Sequence, residues 1–298
     1  MKQTTQQNYR QRILKVVEYI WANIEEDLDT NTLADVAHFS PYHFHRIYRE
    51  MMQETVASSV RRLRLHYATY TLLHTDRPIA EIARSIRYGS AEAFIRAFAK
   101  STGQTPALYR QQRQQAFHTN AFDHQATTVP RLNNAQPSSQ ENPMFTIEIT
   151  SEPEIKLAGL AHHGNYMDIG KCFERLCSIA GANQMFTPTT RSLGIYYDDP
   201  QSTPVNELRS HACISIEQDS QLPEQLENLS LSAGRYAVLK FKGPYAELES
   251  AYRWFYGTWL PTSGHEPADK PPFEEYLNDP KEVAPQDLLT AIYLPLAG

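Results

Sequence analysis

Arg46 and Arg96 stand fifty residues apart, and each lies six residues after a serine, Ser40 or Ser90. A serine that caps a helix sets such an arginine outward. There its guanidinium can pair with guanine O6 and N7 or hold a phosphate. A second concentration of usable side chains runs from Tyr236 to Trp259 and also holds Phe241, Tyr245, Tyr252, Trp254, Phe255 and Tyr256. Aromatic faces attract organic cations by ~0.5–2 kcal/mol each, although most rings in a globular chain serve the core. Thiols and imidazoles offer less. Cys172-x4-Cys177 falls on a helical pattern with no nearby Cys or His set to complete four zinc ligands, so both read as structural thiols. His162 and His163 are adjacent near a strand end and point to opposite faces. His43 and His45 fall on a helix where DNA contact or solvation is the simpler use. There is no Walker A loop, no Gly-rich dinucleotide loop and no nucleophile elbow. No metal, cofactor or catalytic residue is expected, and the chain reads as a non-enzyme.

The elements that position these residues must come from two domains, because 298 residues exceed one ordinary domain. Hydrophobic residues make up 41% and charged residues 21%, which excludes a disordered chain. Three cysteines exclude a disulfide scaffold and suit a reducing compartment. No apolar run reaches the ~18 residues of a membrane span, and the start lacks a secretory h-region. A cytoplasmic location and no membrane partner are expected. The net charge of −6 is uneven: residues 1–113 carry +5 and residues 114–298 carry −11. A basic first third suits contact with a polyanion.

The segment Gln114 to Pro143 is rich in Gln, Asn, Ser, Thr and Pro and has no apolar period. It reads as a linker between domains 1–113 and 144–298. In the first domain, Ile13, Val16, Val17, Ile20, Trp21 and Ile24 form one helical stripe. Leu33, Val36 and Ala37 make a short helix, and Ser40-Pro41 starts the next. Val60, Leu63, Tyr67, Tyr70 and His74 continue along a longer helix. Pro78 opens another short helix, and Gly89-Ser90 starts the last at Ala91. Ser40, Phe44, Arg46, Tyr48 and Thr55 recur as Ser90, Phe94, Arg96, Phe98 and Thr105. The domain is therefore all-α, with two helix-turn-helix units able to address two major-groove faces about one helical turn (~34 Å) apart.

These stretches resemble a known family. LADVAHFSPYHFHRIYREM, RRLRLHYATYTLL and PIAEIARSIRYGSAEAFIRAFAKSTGQTPALYR look like the DNA-binding domain of AraC/XylS-type transcriptional regulators. The likeness covers about a third of the chain. Two departures stand out: Gln53 occupies the place of Gly103 in the second unit, and the turn at His38-Phe39 has no glycine. Carried over by position, the first recognition helix exposes Tyr42, His45, Arg46 and Arg49, and the second offers Ala91, Glu92 and Arg96. Arg46 is expected to read guanine and Glu92 to accept from cytosine N4. Lys100 is expected to hold phosphate or to stand as a plain solvated charge. More sequence information is expected from the first helix.

The remainder repeats as well, at an offset near 80. Gly164-x-Tyr166 matches Gly243-x-Tyr245, Asp199-Pro200 matches Asp279-Pro280, and strand-like His211 to Glu217 matches Leu289 to Pro295. Each unit reads strand, Gly-x-Tyr, helix, strand, strand, with helices near Tyr166–Ala180 and Tyr245–Leu260. Two units give an α+β domain with pseudo-two-fold symmetry and a groove between the halves. LSAGRYAVLKFKGPYAELESAYRWFYGTWLP, PPFEEYLNDP and LLTAIYLPL resemble the GyrI-like effector-binding domain, which follows the DNA-binding domain in AraC/XylS regulators of Rob type.

That resemblance implies an acidic residue on the penultimate strand, and the F-E-x-Y pattern makes it Glu274. Alternation puts Glu274 and Tyr276 on one face and Phe273 and Glu275 on the other. The sister repeat has Gly194 at the matching place and Tyr196 opposite Tyr276. Glu274, Tyr276, Tyr196, Tyr166, Tyr245 and Trp254 are therefore the expected binding residues for a small cationic or amphipathic effector. The leading expectation is a sequence-specific regulator of transcription whose partners are double-stranded DNA, a small-molecule effector and RNA polymerase. The alternatives are a GyrI-like hydrolase with Glu274 as general base, or a protein-inhibitor module.

Overall fold

The computed structural model describes residues 2–111, 145–217 and 221–298. The expected linker 114–143 lies outside the described residues. By spatial clustering the described chain forms two compact units. The first holds the residues up to Tyr9, the segment Phe39–Met51 and everything from residue 145 on; the second holds Arg10–His38 and residues 52–111.

Six helices precede residue 103: α1 (Lys2–Ala22), α2 (Thr30–Val36), α3 (Pro41–Met52), α4 (Val56–His74), α5 (Ile79–Ser85) and α6 (Ala91–Thr102). Their starts are set by capping side chains. Asp29 accepts from Thr32 N–H, Thr55 from Ser58 N–H and Ser90 from Ala93 N–H. Pro41 opens α3, where a missing N–H costs nothing. The stripe on α1 is buried at Ile13, Val16, Val17 and Ile20. Within the second unit, Leu65, Ala68 and Leu72 of α4 pack on Ile82, Ala83 and Ile86 and on Phe94 and Phe98 of α6. Tyr70 departs from the expected α4 stripe: it is exposed and its ring lies 4.3 Å from His74. The buried side of α4 runs instead through Val60, Leu63, Ala68 and Leu72.

Both turn positions marked as departures take left-handed backbone. His38 has φ 52° and Gln53 has φ 59°, while Gly103 has φ 78°. A side chain in that region costs roughly 1–2 kcal/mol, which glycine avoids. Gln53→Gly is therefore expected to raise thermal stability by about 1 kcal/mol, read from denaturant unfolding. A lower midpoint would show that the Gln53 side chain supplies more than its backbone costs.

The C-terminal residues build one eight-stranded antiparallel sheet: β1 (Thr146–Glu152), β2 (Ile155–His163), β3 (Ser192–Tyr196), β4 (Arg209–Ser215), β5 (Glu227–Leu231), β6 (Gly234–Lys242), β7 (Phe273–Tyr276) and β8 (Leu289–Pro295). The order β1-β6-β8-β7-β3-β4-β2-β5 reads the same when the two halves are exchanged. The duplication is thus a pseudo-two-fold with its centre at the β3–β7 pair. Two strands, β1 and β5, were not expected. They are the two edges, half exposed and largely polar, and each pairs with the other half's hairpin strand: β1 with β6, β5 with β2.

Helix α7 (Ile169–Ala182) follows a 3-10 turn at Tyr166–Asp168. Its counterpart is interrupted. A 3-10 turn at Tyr245–Glu247 leads into α8 (Leu248–Trp254), a π turn (Phe255–Trp259) and α9 (Leu260–Ser263). One sheet face carries a core of Leu157, Leu193, Ile195, Phe273 and Tyr293. Leu176 and Ala180 of α7 bury Leu160 and Ile214 on the other.

Candidate functional site

Pairing of β3 with β7 sets Gly194 directly opposite Glu274. Alternation then sends Glu274 and Tyr276 to one face and Phe273 to the core of the other. Glu275 leaves by that second face and pairs with Arg191 at 2.6 Å, where Tyr293 OH donates to it as well. The absence of a side chain at Gly194 is a packing requirement. A Cβ there would lie 2.8 Å from Tyr276 OH and 2.9 Å from Tyr196 Cε2. Glycine in one repeat therefore makes room for the tyrosines that serve the glutamate of the other.

Glu274 is 5% exposed. Tyr252 OH donates to its Oε1 and Tyr276 OH to its Oε2, each at 3.0 Å. Tyr276 OH in turn lies 2.6 Å from Tyr196 OH, so the proton order runs Tyr196 to Tyr276 to Glu274. Burial pushes the Glu274 carboxyl up to about 7 against the opposing pull of Tyr252, Tyr276 and Arg46. Burial and then the neighbouring glutamate hold the Tyr196, Tyr252 and Tyr276 hydroxyls protonated. Tyr245 stands edge-on to Tyr276 at 5.4 Å, and Tyr166 stands edge-on to Tyr196 at 4.8 Å. The site is a single poised carboxyl within a ring of tyrosines, an arrangement able to bind an organic cation by charge and by ring faces.

Two expected members differ from that picture. Trp254 packs on Phe145 at 5.4 Å, and no contact described for it reaches Glu274. Tyr252 points to the glutamate in its place; two residues apart on a helix is about 200°, so the two side chains leave by nearly opposite sides. Tyr166 spends its hydroxyl on backbone, accepting from Asp198 N–H at 3.1 Å and lying 2.9 Å from the Arg209 carbonyl.

The two helices expected to read DNA, α3 and α6, present different surfaces. On α6, Glu92, Arg96 and Lys100 are exposed and Ala91 is half-buried, while Phe94 and Phe98 face the core. On α3, the arginine expected to face outward is 4% exposed. Arg46 donates from Nη2 to the Asp198 carbonyl at 3.0 Å, and its guanidinium carbon lies 5.1 Å from the Tyr252 ring centre and 5.5 Å from that of Tyr256. Arg49 pairs with Asp199 at 3.0 Å. His43, fully buried, lies 2.8 Å from Tyr256 OH through Nδ1 and 3.0 Å from the Ala268 carbonyl through Nε2. Burial, and next the Arg46 charge, push the His43 imidazole down to about 3 and keep it neutral. Tyr42 and His45 are half-buried. The outward reading of Arg46 is thus corrected: segment 39–51 packs within the first unit, and its polar face is covered there. No sequence pattern announces this, because the partners lie about 150 to 225 residues away.

Residues 145–297 match the family described as the GyrI-like small molecule binding domain, and residues 33–112 match a helix-turn-helix domain. The chain belongs to the GyrI-like family. Its GyrI-like part is 28% identical over 157 residues to the DNA gyrase inhibitor of Erwinia billingiae, covering 51% of this chain and 98% of that protein. The helical part is 40% identical over 96 residues to the bifunctional transcriptional activator/DNA repair enzyme AdaA of Bacillus subtilis, covering 32% of this chain and 46% of that one. It is 34% identical over 93 residues to the right origin-binding protein of Escherichia coli, covering 30% and 32%. The chain thus spans less than half the length of the two helix-turn-helix relatives. Among the described residues no helix is long and apolar enough to cross a membrane, and no group of three or more His, Cys, Asp or Glu could hold a metal ion.

Within the GyrI-like domain, Tyr252 is the residue that sequence reasoning left out of the site. A signal was available. It lies four residues before Tyr256, and that spacing stacks the two rings on one helix side, 6.4 Å apart at 14°.

Proposed function

We propose that this chain is a ligand-responsive regulator of transcription. Its helix-turn-helix part binds double-stranded DNA, and its GyrI-like domain binds a small organic cation at Glu274. The observation that carries the ligand half is the buried Glu274 carboxyl, held between Tyr252 and Tyr276 hydroxyls and opposite Gly194. A carboxyl so placed favours a cation over a neutral molecule, because only the cation repays its desolvation. The DNA half rests on the helix-turn-helix match and on the exposed Glu92, Arg96 and Lys100 of α6. RNA polymerase is the proposed further partner, since AdaA is named a transcriptional activator. A protein that acts on DNA in this way would work in the cytoplasm, and the reading requires no catalytic step.

Selection of bound sequences from random duplex DNA, with and without a panel of aromatic quaternary ammonium ions, tests both halves. A recovered motif whose enrichment changes with a cation supports the reading; no motif under either condition contradicts it. Lys100→Ala is expected to weaken all duplexes alike and to reduce the slope of log K against log salt by about 1. A loss confined to one sequence would move Lys100 from phosphate to base contact.

A hydrolytic reading has one observation in its favour, the Glu274 carboxyl near 7, where a general base works well. Both of its oxygens are already occupied by tyrosine hydroxyls. Release of product from a panel of esters, abolished in Glu274→Gln, would establish that reading.

A further inference from the structure

The side of the GyrI-like domain next to Glu274 already holds a cation, and the cation belongs to a recognition helix. His43, Arg46, Arg49 and Glu50 fall at three- and four-residue spacing along one face of α3. That face seats on the interrupted helix, where the π turn presents Tyr256 and Gly257. Glu50 lies so close that a Cβ on Gly257 would stand 3.1 Å from its side chain. Ser40, ahead of α3, donates to Asp269 at 2.7 Å. Arg46 lies against the stacked pair Tyr252 and Tyr256, and Tyr252 hydrogen-bonds Oε1 of Glu274. Arg46 thus occupies the aromatic half of the site while Glu274 supplies its acidic half. The fit is incomplete, because Nη1 of Arg46 is buried without a hydrogen-bond partner. A buried guanidinium that is only partly satisfied leaves some of its desolvation uncompensated, so a cation that fills the rings better can compete for them.

We propose that Arg46 is a built-in occupant of the cation site, so that an organic cation competes with α3 for Tyr252 and Tyr256 and frees the polar face of the first recognition helix. This inference rests on the ligand reading above and adds its regulation. Without ligand, Arg46 and His43 are covered and only α6 presents its polar face. With ligand, both recognition helices do. A molecule that binds only when α3 has left shifts the population toward the released state by the difference in its affinity for the two.

The test uses the full chain, benzyltrimethylammonium as the cation and neopentylbenzene as its neutral isostere. Release is read by the rate at which diethyl pyrocarbonate modifies His43, followed by peptide mass spectrometry, which needs no DNA. In the parent protein His43 should react slowly, and saturating benzyltrimethylammonium should accelerate it about tenfold or more, with no effect of the isostere. Gly257→Leu should expose His43 without any ligand, because its side chain fills the place of Glu50. Arg46→Ala should bind the cation about tenfold more tightly than the parent, having vacated the rings. This second variant leaves the π turn untouched and serves if the Gly257 variant does not fold. Cation binding that depends on Glu274 but leaves His43 protected, or an Arg46→Ala affinity equal to the parent's, overturns the competition and leaves the ligand reading standing. Failure of the parent and of Arg46→Ala to bind the cation at all overturns both.

Discussion

Glu274→Gln is expected to weaken benzyltrimethylammonium binding about tenfold, roughly 1.4 kcal/mol, with shape preserved and charge removed. Neopentylbenzene should bind the variant and the parent alike. The size follows from one charged contact in a site where two tyrosine hydroxyls already share the carboxylate's charge. The pH dependence has a definite sign. Burial pushes this carboxyl up to about 7, so at pH ~6 most of it is protonated and at pH ~8 most is ionised. Cation affinity in the parent should therefore rise by up to about tenfold across that interval. The same interval should leave Glu274→Gln flat. Titration of tryptophan fluorescence at several pH values separates these cases. Equal losses for the cation and its isostere would make Glu274 a structural residue.

Phe273→Ala is expected to cost about 3–5 kcal/mol of stability. Phe273 is fully buried. Its ring stacks on Tyr293 at 4.4 Å and 10° and meets Tyr236 edge-on at 5.5 Å. It also sits immediately before Glu274, so a collapse there shifts the register that holds the carboxyl against Gly194. Chemical denaturation should show a lower midpoint with a similar slope. A loss under about 1 kcal/mol would mean that the sheet closes over the cavity, against the close packing of protein cores.

Much of this architecture is legible in the sequence, and the reasons are local. Ser90 before Ala91 predicts α6 because a capping hydroxyl is a short-range feature. Alternation across Phe273-Glu274-Glu275-Tyr276 divides the two faces correctly because a strand has period two. The edges β1 and β5 escape that logic. Each has only one short alternation among polar residues, Ile147-Glu148-Ile149 or Leu229-Ser230-Leu231, too brief to mark a strand of five to seven residues. Trp254 escapes it for another reason: it shares a dense aromatic run with Tyr252, and only the contacts of Trp254 with Phe145 and of Tyr252 with Glu274 show which side of α8 each ring takes. The cover on Arg46 is the deepest miss. A guanidinium six residues after a capping serine looks free in sequence, and only the approach of Tyr252, Tyr256 and the Asp198 carbonyl takes it out of water.

The central claim is that a cation bound at Glu274 changes how the chain binds DNA. Fluorescence anisotropy of a duplex recovered by selection, titrated with the full chain at fixed salt, measures it directly. Saturating benzyltrimethylammonium should change the dissociation constant of the parent about tenfold, and Glu274→Gln should need about ten times more cation for the same change. An identical dissociation constant with and without a cation that demonstrably binds would contradict the account.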